Sequence, residues 1–430
     1  MLSGKSKKGI FLFLLLFVSI VYSQDKISPV EKQARELMKY FANPAGAEKL
    51  FTKDFLKQVP PDRMAGILKY YYSACGAPVK IEPVKITSGF SAKYDYFFEK
   101  NSTVAVTINV EQKEPYLISG LFFGNPVIFA ADFNEFIEQL KKLPGETSLL
   151  AAKLDKDKLV TVAEHNPDKH LAIGSSFKLY ILSELLRTIN LGQRKWSDVI
   201  KLNEECRSLP SGFLHDWHTG TYMTLESLAS LMISISDNTA TDNLLRTAGR
   251  ENVEKIQKTA GHSNPQLNIP FLATMDMFKL KGGPDKGTIE KYLASSDRKK
   301  FLKEELAKIK RDDFVMWDAP FYIDKVEWFA SARDLCNVMN WIKKNSDKEK
   351  DSRTRNILSI NPGTTISKDK WKYIGYKGGS EPGVMNMTYL LQSAAGDWYV
   401  LSCGWNNPKA SLDEAKFAGM VSRAIQLLEK

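Results

Sequence analysis

Across residues 146–430 the spacing of apolar residues changes period twice, and the order of those changes restricts the fold more than any other feature. Residues 148–154 and 159–164 are short apolar runs of strand length. After Ser175 the chain carries helical spacing for a long stretch. Strand patterns return at residues 373–379, 385–393 and 398–405. Residues 411–430 then form a closing amphipathic helix, with Phe417, Val421, Ala424, Ile425 and Leu428 on one face. Strands at both ends of a helical middle predict an α/β domain whose antiparallel sheet is built from both termini.

The chain of 430 residues is long enough for two domains. Asn125-Pro126 marks the boundary, giving a domain over 24–125 and another over 126–430. In the first, helical spacing over 29–42 and from Pro61 to Gly76 precedes strand runs at 79–90, 94–99, 104–110 and 116–123. Helices followed by antiparallel strands predict a small α+β domain with a curved sheet. The pattern is similar to the cone-shaped modules of the NTF2/ketosteroid-isomerase type. Tyr70, Tyr71, Tyr72, Tyr94 and Tyr96 could line a pocket there, or form a plain aromatic core.

Lys5, Lys7 and Lys8 precede an apolar run over 10–21 and the residues Val21-Tyr22-Ser23. This is a secretory leader over 1–23, cleaved before Gln24. The alternative is an uncleaved anchor, but the run is short for a span. The expected location is periplasmic or secreted, with no transmembrane segment after cleavage. Removing the three leader lysines from the formal +10 leaves +7, scattered among acidic residues. Without an aromatic-interleaved basic patch, this reads as a solvated surface and not as a nucleic-acid interface. Cys75, Cys206, Cys336 and Cys403 show neither CxxC pairs nor zinc spacing, so no metal and no cofactor is expected. No feature selects an oligomeric state.

Three short elements carry chemistry. In Ser175-Ser176-Phe177-Lys178 a Ser and a Lys three apart share a helix face, so the Lys can take the Ser proton once burial lowers its pKa. Three other S-x-x-K matches exist, at Ser23, Ser296 and Ser367, but only Ser175 opens an apolar helix. Ser236-Asp237-Asn238 follows a helical run. Its Ser can relay a proton, its Asn amide can hold a Lys and a substrate carbonyl, and its Asp orients the loop. Lys377-Gly378-Gly379-Ser380 ends a strand. Its glycines admit a substrate backbone, and the Ser380 N–H can serve as a second oxyanion donor beside that of Ser175.

Taken in order, these elements resemble the signature of class A β-lactamases and penicillin-binding proteins. The resemblance spans roughly residues 133–430, apart from a charged insertion over 277–311. It implies a β-lactamase-like fold for the second domain. It implies acylation at Ser175, with Lys178 as base or part of a base network and Ser236 passing the proton on. Asn238 and Gly379 would position substrate, and Lys377 with Ser380 would bind its carboxylate. The implied partner is a small β-lactam, ester or peptidoglycan-like molecule.

The sequence also departs from that pattern. The family's deacylating Glu belongs to an E-x-x-L-N context, but here the stretch reads Asn264-Pro265-Gln266-Leu267-Asn268. Glu327 or Asp324 could fold back to supply a base, or serve as ordinary loop carboxylates. Gly378 replaces the usual Thr or Ser. His215, Trp217 and His218 lie where the family has a loop rimming the cleft. The readings to separate are a serine hydrolase with slow turnover and a penicillin- or carboxylate-binding protein without efficient turnover.

Overall fold

A computed structural model describes residues 27–429 except 101, 129, 157, 286, 311, 312, 314, 365, 367 and 368. The leader and its cleavage point therefore lie outside the described residues. The chain divides into two compact units, the first ending at Gly124 and the second running chiefly from Asn125.

The first unit begins with α1 (Pro29–Met38), where the Ser28 side chain accepts the Glu31 N–H and Pro occupies the first turn. The helix stops short of residue 42, in a turn leading to Asn43-Pro44. A short α2 (Lys53–Gln58), capped by Thr52, was not expected from the periodicity. α3 (Pro61–Cys75) ends at Gly76, whose φ of 86° suits glycine. Strands β1 (Pro78–Ser88), β2 (Ser91–Phe98), β3 (Ser102–Val110) and β4 (Ile118–Ile128) lie side by side in chain order.

Two expectations change here. β4 runs through Asn125-Pro126 instead of stopping before it. An edge strand tolerates Pro because its outer N–H needs no partner. The five tyrosines do not line one pocket: β2 alternates strictly, which buries Tyr94 and Tyr96 in the core. Tyr96 donates its hydroxyl to Ala34 O at 2.7 Å. Tyr70 and Tyr72 are exposed.

The second unit opens with α4 (Phe133–Lys141), then β5 (Glu146–Asp155), β6 (Lys158–His165), β7 (Leu171–Ala172) and α5 (Lys178–Asn190). The middle holds β8 (Val199–Lys201), β9 (Tyr222–Thr224), α6 (Leu225–Ser234), α7 (Asn238–Ala248) and α8 (Arg250–Thr259). It continues through α9 (Thr274–Gly282), α10 (Thr288–Ala294), α11 (Arg298–Glu304), β10 (Phe329–Ala330), α12 (Ala332–Ser346) and α13 (Arg353–Leu358). β11 (Trp371–Glu381), β12 (Val384–Ser393), β13 (Trp398–Asn406) and α14 (Glu414–Leu427) complete it.

The main sheet has the order β11-β12-β13-β5-β6, so strands from both ends of the unit meet at the β13–β5 pair. Side-chain alternation divides each central strand between two cores. Leu150 and Ala152 face the helical middle, with Leu179, Leu335 and Val338. Leu149 and Ala151 face the other way, with Phe136 of α4 and Phe417, Val421 and Ile425 of α14. This is the α/β arrangement read from the sequence. The charged insertion is not merely a surface loop, because its α9 buries Met277, Phe278 and Lys281. All four cysteines are buried, and none forms a disulfide among the described residues.

Candidate active site

β7 delivers the chain to Gly174, whose φ of 47° turns it into a single 3₁₀ turn over Gly174–Phe177 before α5 begins at Lys178. Ser175 therefore sits in this turn and not inside the helix proper. Behind it Phe177 stacks on Trp328, with centroids 3.8 Å apart and planes 14° from parallel. The end of β11 lies directly against the turn. A Cβ on Gly379 would stand 2.2 Å from Ser175 N, and one on Gly174 would stand 2.9 Å from Ser380 N. Only glycines permit this approach of Gly379 to the Ser175 amide and of Gly174 to the Ser380 amide.

Lys178 is fully buried, and its Nζ donates to Ser236 O at 2.7 Å, Ser236 Oγ at 2.9 Å and Asn238 Oδ1 at 2.7 Å. Lys377 Nζ donates to the same Ser236 Oγ at 3.2 Å and to Gly378 O at 2.6 Å. Ser236 thus bridges two lysines, from a left-handed backbone with φ of 59° between α6 and α7. Asp237 holds that bend: Oδ1 accepts the Ala240 N–H at 2.7 Å, and Oδ2 accepts those of Phe213 and Leu214 at 2.8 and 3.0 Å. Asn238 Nδ2 donates to Leu209 O at 2.8 Å, which fixes the amide.

Electrostatics follow from this burial. Desolvation, then the positive charge of Lys377, hold the Lys178 ammonium pKa well below its usual range. Burial alone lowers Lys377 to about 7. A hydroxyl residue in place of Gly378 would have to displace the Tyr376 hydroxyl, which lies 2.0 Å from where its Cβ would stand.

Ser175 opens into a recess of about 130 Å³ that Asn238 also borders. Its far wall comes from both sides of the insertion: Met277 and Phe278 of α9, and Met316 and Trp317. Glu327 and Glu381 line the same recess. Lys281 Nζ donates to Glu327 Oε1 at 3.1 Å and to Glu381 Oε1 at 2.5 Å.

Other residues singled out in the sequence stand elsewhere. Asp324 borders a different cavity, beside His170 and Phe329. Asn264 donates its N–H to His262 Nδ1 at 3.1 Å and does not border the recess. Asn268 clamps β10, with Nδ2 donating to Phe329 O at 2.9 Å and Oδ1 accepting its N–H at 2.8 Å. His215, Trp217 and His218 are not part of the recess wall. His170, His262 and Asp334 bring potential metal-binding atoms within 4.8 Å. However, His262 Nδ1 accepts the Asn264 N–H, and Asp334 accepts those of Ser263 and Ser331. Those lone pairs hold the backbone in place.

The beta-lactamase enzyme family model matches residues 129–427. The chain belongs to that family. Among solved structures, it is similar to a beta-lactamase from Sphaerobacter thermophilus, at 20% identity and a TM-score of 0.48, covering 69% of this chain and 96% of that one. It is similar to one from Chitinophaga pinensis at 15% identity and a TM-score of 0.46, covering 69% and 96%. It is also similar to PBP-A at 17% identity and a TM-score of 0.46, covering 68% and 95%. No curated protein matches. The family match leaves α1–α3 and β1–β4 outside it.

Within this beta-lactamase-family unit, Lys281, Trp317 and Glu381 were not singled out from the sequence. Glu381 had a signal: it follows Ser380 directly, and strand alternation sets it on the face of β11 that carries Lys377 and Gly379. Lys281 and Trp317 sit in or just after the stretch read as a charged insertion and offered none.

Proposed function

We propose that this protein is an exported serine hydrolase, acylated at Ser175 by a β-lactam, another cyclic amide or an ester, and slowly regenerated by water. The chain of contacts Lys178–Ser236–Lys377 beside Ser175 carries the reading. A purely structural core gains nothing from two buried lysines meeting one hydroxyl, since their desolvation opposes folding.

In the proposed reaction, neutral Lys178 takes the proton from Ser175 Oγ as that oxygen attacks the substrate carbonyl. The N–H groups of Ser175 and Ser380 receive the developing oxyanion; one such donor contributes about 10²–10³ in rate. Ser236 passes the proton to the leaving nitrogen or oxygen. Asn238 and Gly379 position the substrate. Lys377, with Ser380, attracts a substrate carboxylate. Glu327, in the wall of the recess, is the carboxylate available to activate the water that releases the acyl group.

Mass spectrometry of the intact protein with benzylpenicillin and a cephalosporin, sampled from seconds to hours, tests this. An adduct that forms and decays is expected, and Ser175→Ala should form none. The second reading, a penicillin- or carboxylate-binding protein without efficient turnover, draws support from Glu327 being paired with Lys281. An adduct that persists would favour it, and absence of any adduct would remove the first reading.

A further inference from the structure

Lys281, Glu327 and Glu381 come from α9, the turn before β10 and the last residue of β11. Their side chains are only 0%, 0% and 8% exposed. Burying charge is costly unless it is neutralised, and one ammonium cannot neutralise two carboxylates. Glu381 offers the remedy. Its Oε2 is buried and receives no hydrogen bond among the described residues, while the Glu327 carboxyl lies within hydrogen-bonding reach. An oxygen in that position is poorly suited to negative charge and well suited to carrying a proton donated to Glu327. Two carboxyls, one shared proton and one ammonium make a neutral buried set.

We propose that Glu327 and Glu381 work as one proton-sharing pair, anchored by Lys281, that activates the water releasing the acyl group from Ser175; this rests on the reading of Ser175 as the acylated nucleophile. Both carboxyls line the recess into which Ser175 opens. As a water oxygen bonds to the acyl carbon, one water proton passes to the pair. As the bond from that carbon to Ser175 Oγ breaks, the pair returns a proton to Oγ. The second water hydrogen leaves on the product acid. The pair and Ser175 end as they began.

Glu327 is the acceptor, and Glu381 is a positioning residue that holds the shared proton. Burial and the neighbouring Glu327 raise Glu381 well above the ordinary carboxyl range, with Lys281 opposing. Lys281 and Glu327 are the charged groups that act on it among the described residues.

The test separates acylation from release in the full chain, using benzylpenicillin and p-nitrophenyl acetate as probes. Glu327→Gln should acylate at the parent rate and release the acyl group about a hundredfold more slowly. Glu381→Gln should also keep its acylation rate, which reports an intact fold, and release about tenfold more slowly. The parent's release profile should carry the titration of the raised Glu381 carboxyl, and that titration should be absent from Glu381→Gln. Release by Glu381→Gln at the parent rate with an unchanged pH profile would overturn the pair. So would a parent adduct that never decays. A parent protein with no adduct at Ser175 would remove the nucleophile reading itself, and the pair with it.

Discussion

Lys178 is buried among Ser236 and Asn238, and the charge of Lys377, which shares the Ser236 hydroxyl with it, opposes its own. The two lysines make different demands on pH. Burial, then Lys377, lowers Lys178, and Lys377 itself titrates at about 7. The charge on Lys377 is thus present below about pH 7 and lost above it. Lys377→Met removes that charge, so the pKa of Lys178 rises and less of it is neutral at a given pH. The pH profile of acylation should move to higher pH, with the largest loss below about 7, as followed by burst kinetics. These residues were legible because each motif is short and sits at a boundary of known geometry. Ser175 and Lys178 are one turn apart, Asp237 caps α7, and Gly379 lies near the end of a strand. The strain at Ser236 was not legible, since φ of 59° is set by the bend that Asp237 anchors.

At the scale of elements, the insertion and the residues after it wall the recess that Ser175 borders. Met277 and Phe278 lie at the middle of α9, whose buried face closes one side of the recess. Trp317 returns on the far side of the inserted segment, 5.3 Å from Phe278 between ring centroids. Its Nε1 is buried with no acceptor among the described residues. A bulky apolar acyl group on Ser175 would pack against this wall. Trp317→Ala should leave acylation by p-nitrophenyl acetate near the parent value. The preference for phenylacetate over acetate should fall about tenfold, as expected for a lost apolar contact of ~1–3 kcal/mol. Steady-state kcat/KM for the two esters measures it. Charge marked residues 277–311 as an insertion, but periodicity cannot report that Phe278 and Trp317 line one recess with Ser175.

The second unit depends on its ends meeting. β5 and β6 precede the helical middle, β11–β13 follow it, and α14 seals the outer face. Phe417, Met420, Val421 and Ile425 are essentially inaccessible. At ~1.5–3 kcal/mol each, their burial is comparable with the ~5–15 kcal/mol that stabilises a domain. A chain ending at Pro408 should show no adduct with benzylpenicillin, and calorimetry should find no cooperative transition for this unit.

The sequence by itself determined the order of strands and helices, because side-chain period records which face of each element is buried. It also determined the three motifs, because their residues are neighbours along one turn or one strand. Only the tertiary structure decided that the end of β11 packs against the turn that carries Ser175. It alone set Asn264 away from the recess and Glu327 into it, and brought Lys281 onto two carboxyls 46 and 100 residues away. Those relations depend on how the loop before β10, the insertion and the end of β11 pack together, and no local spacing encodes a contact made across that distance.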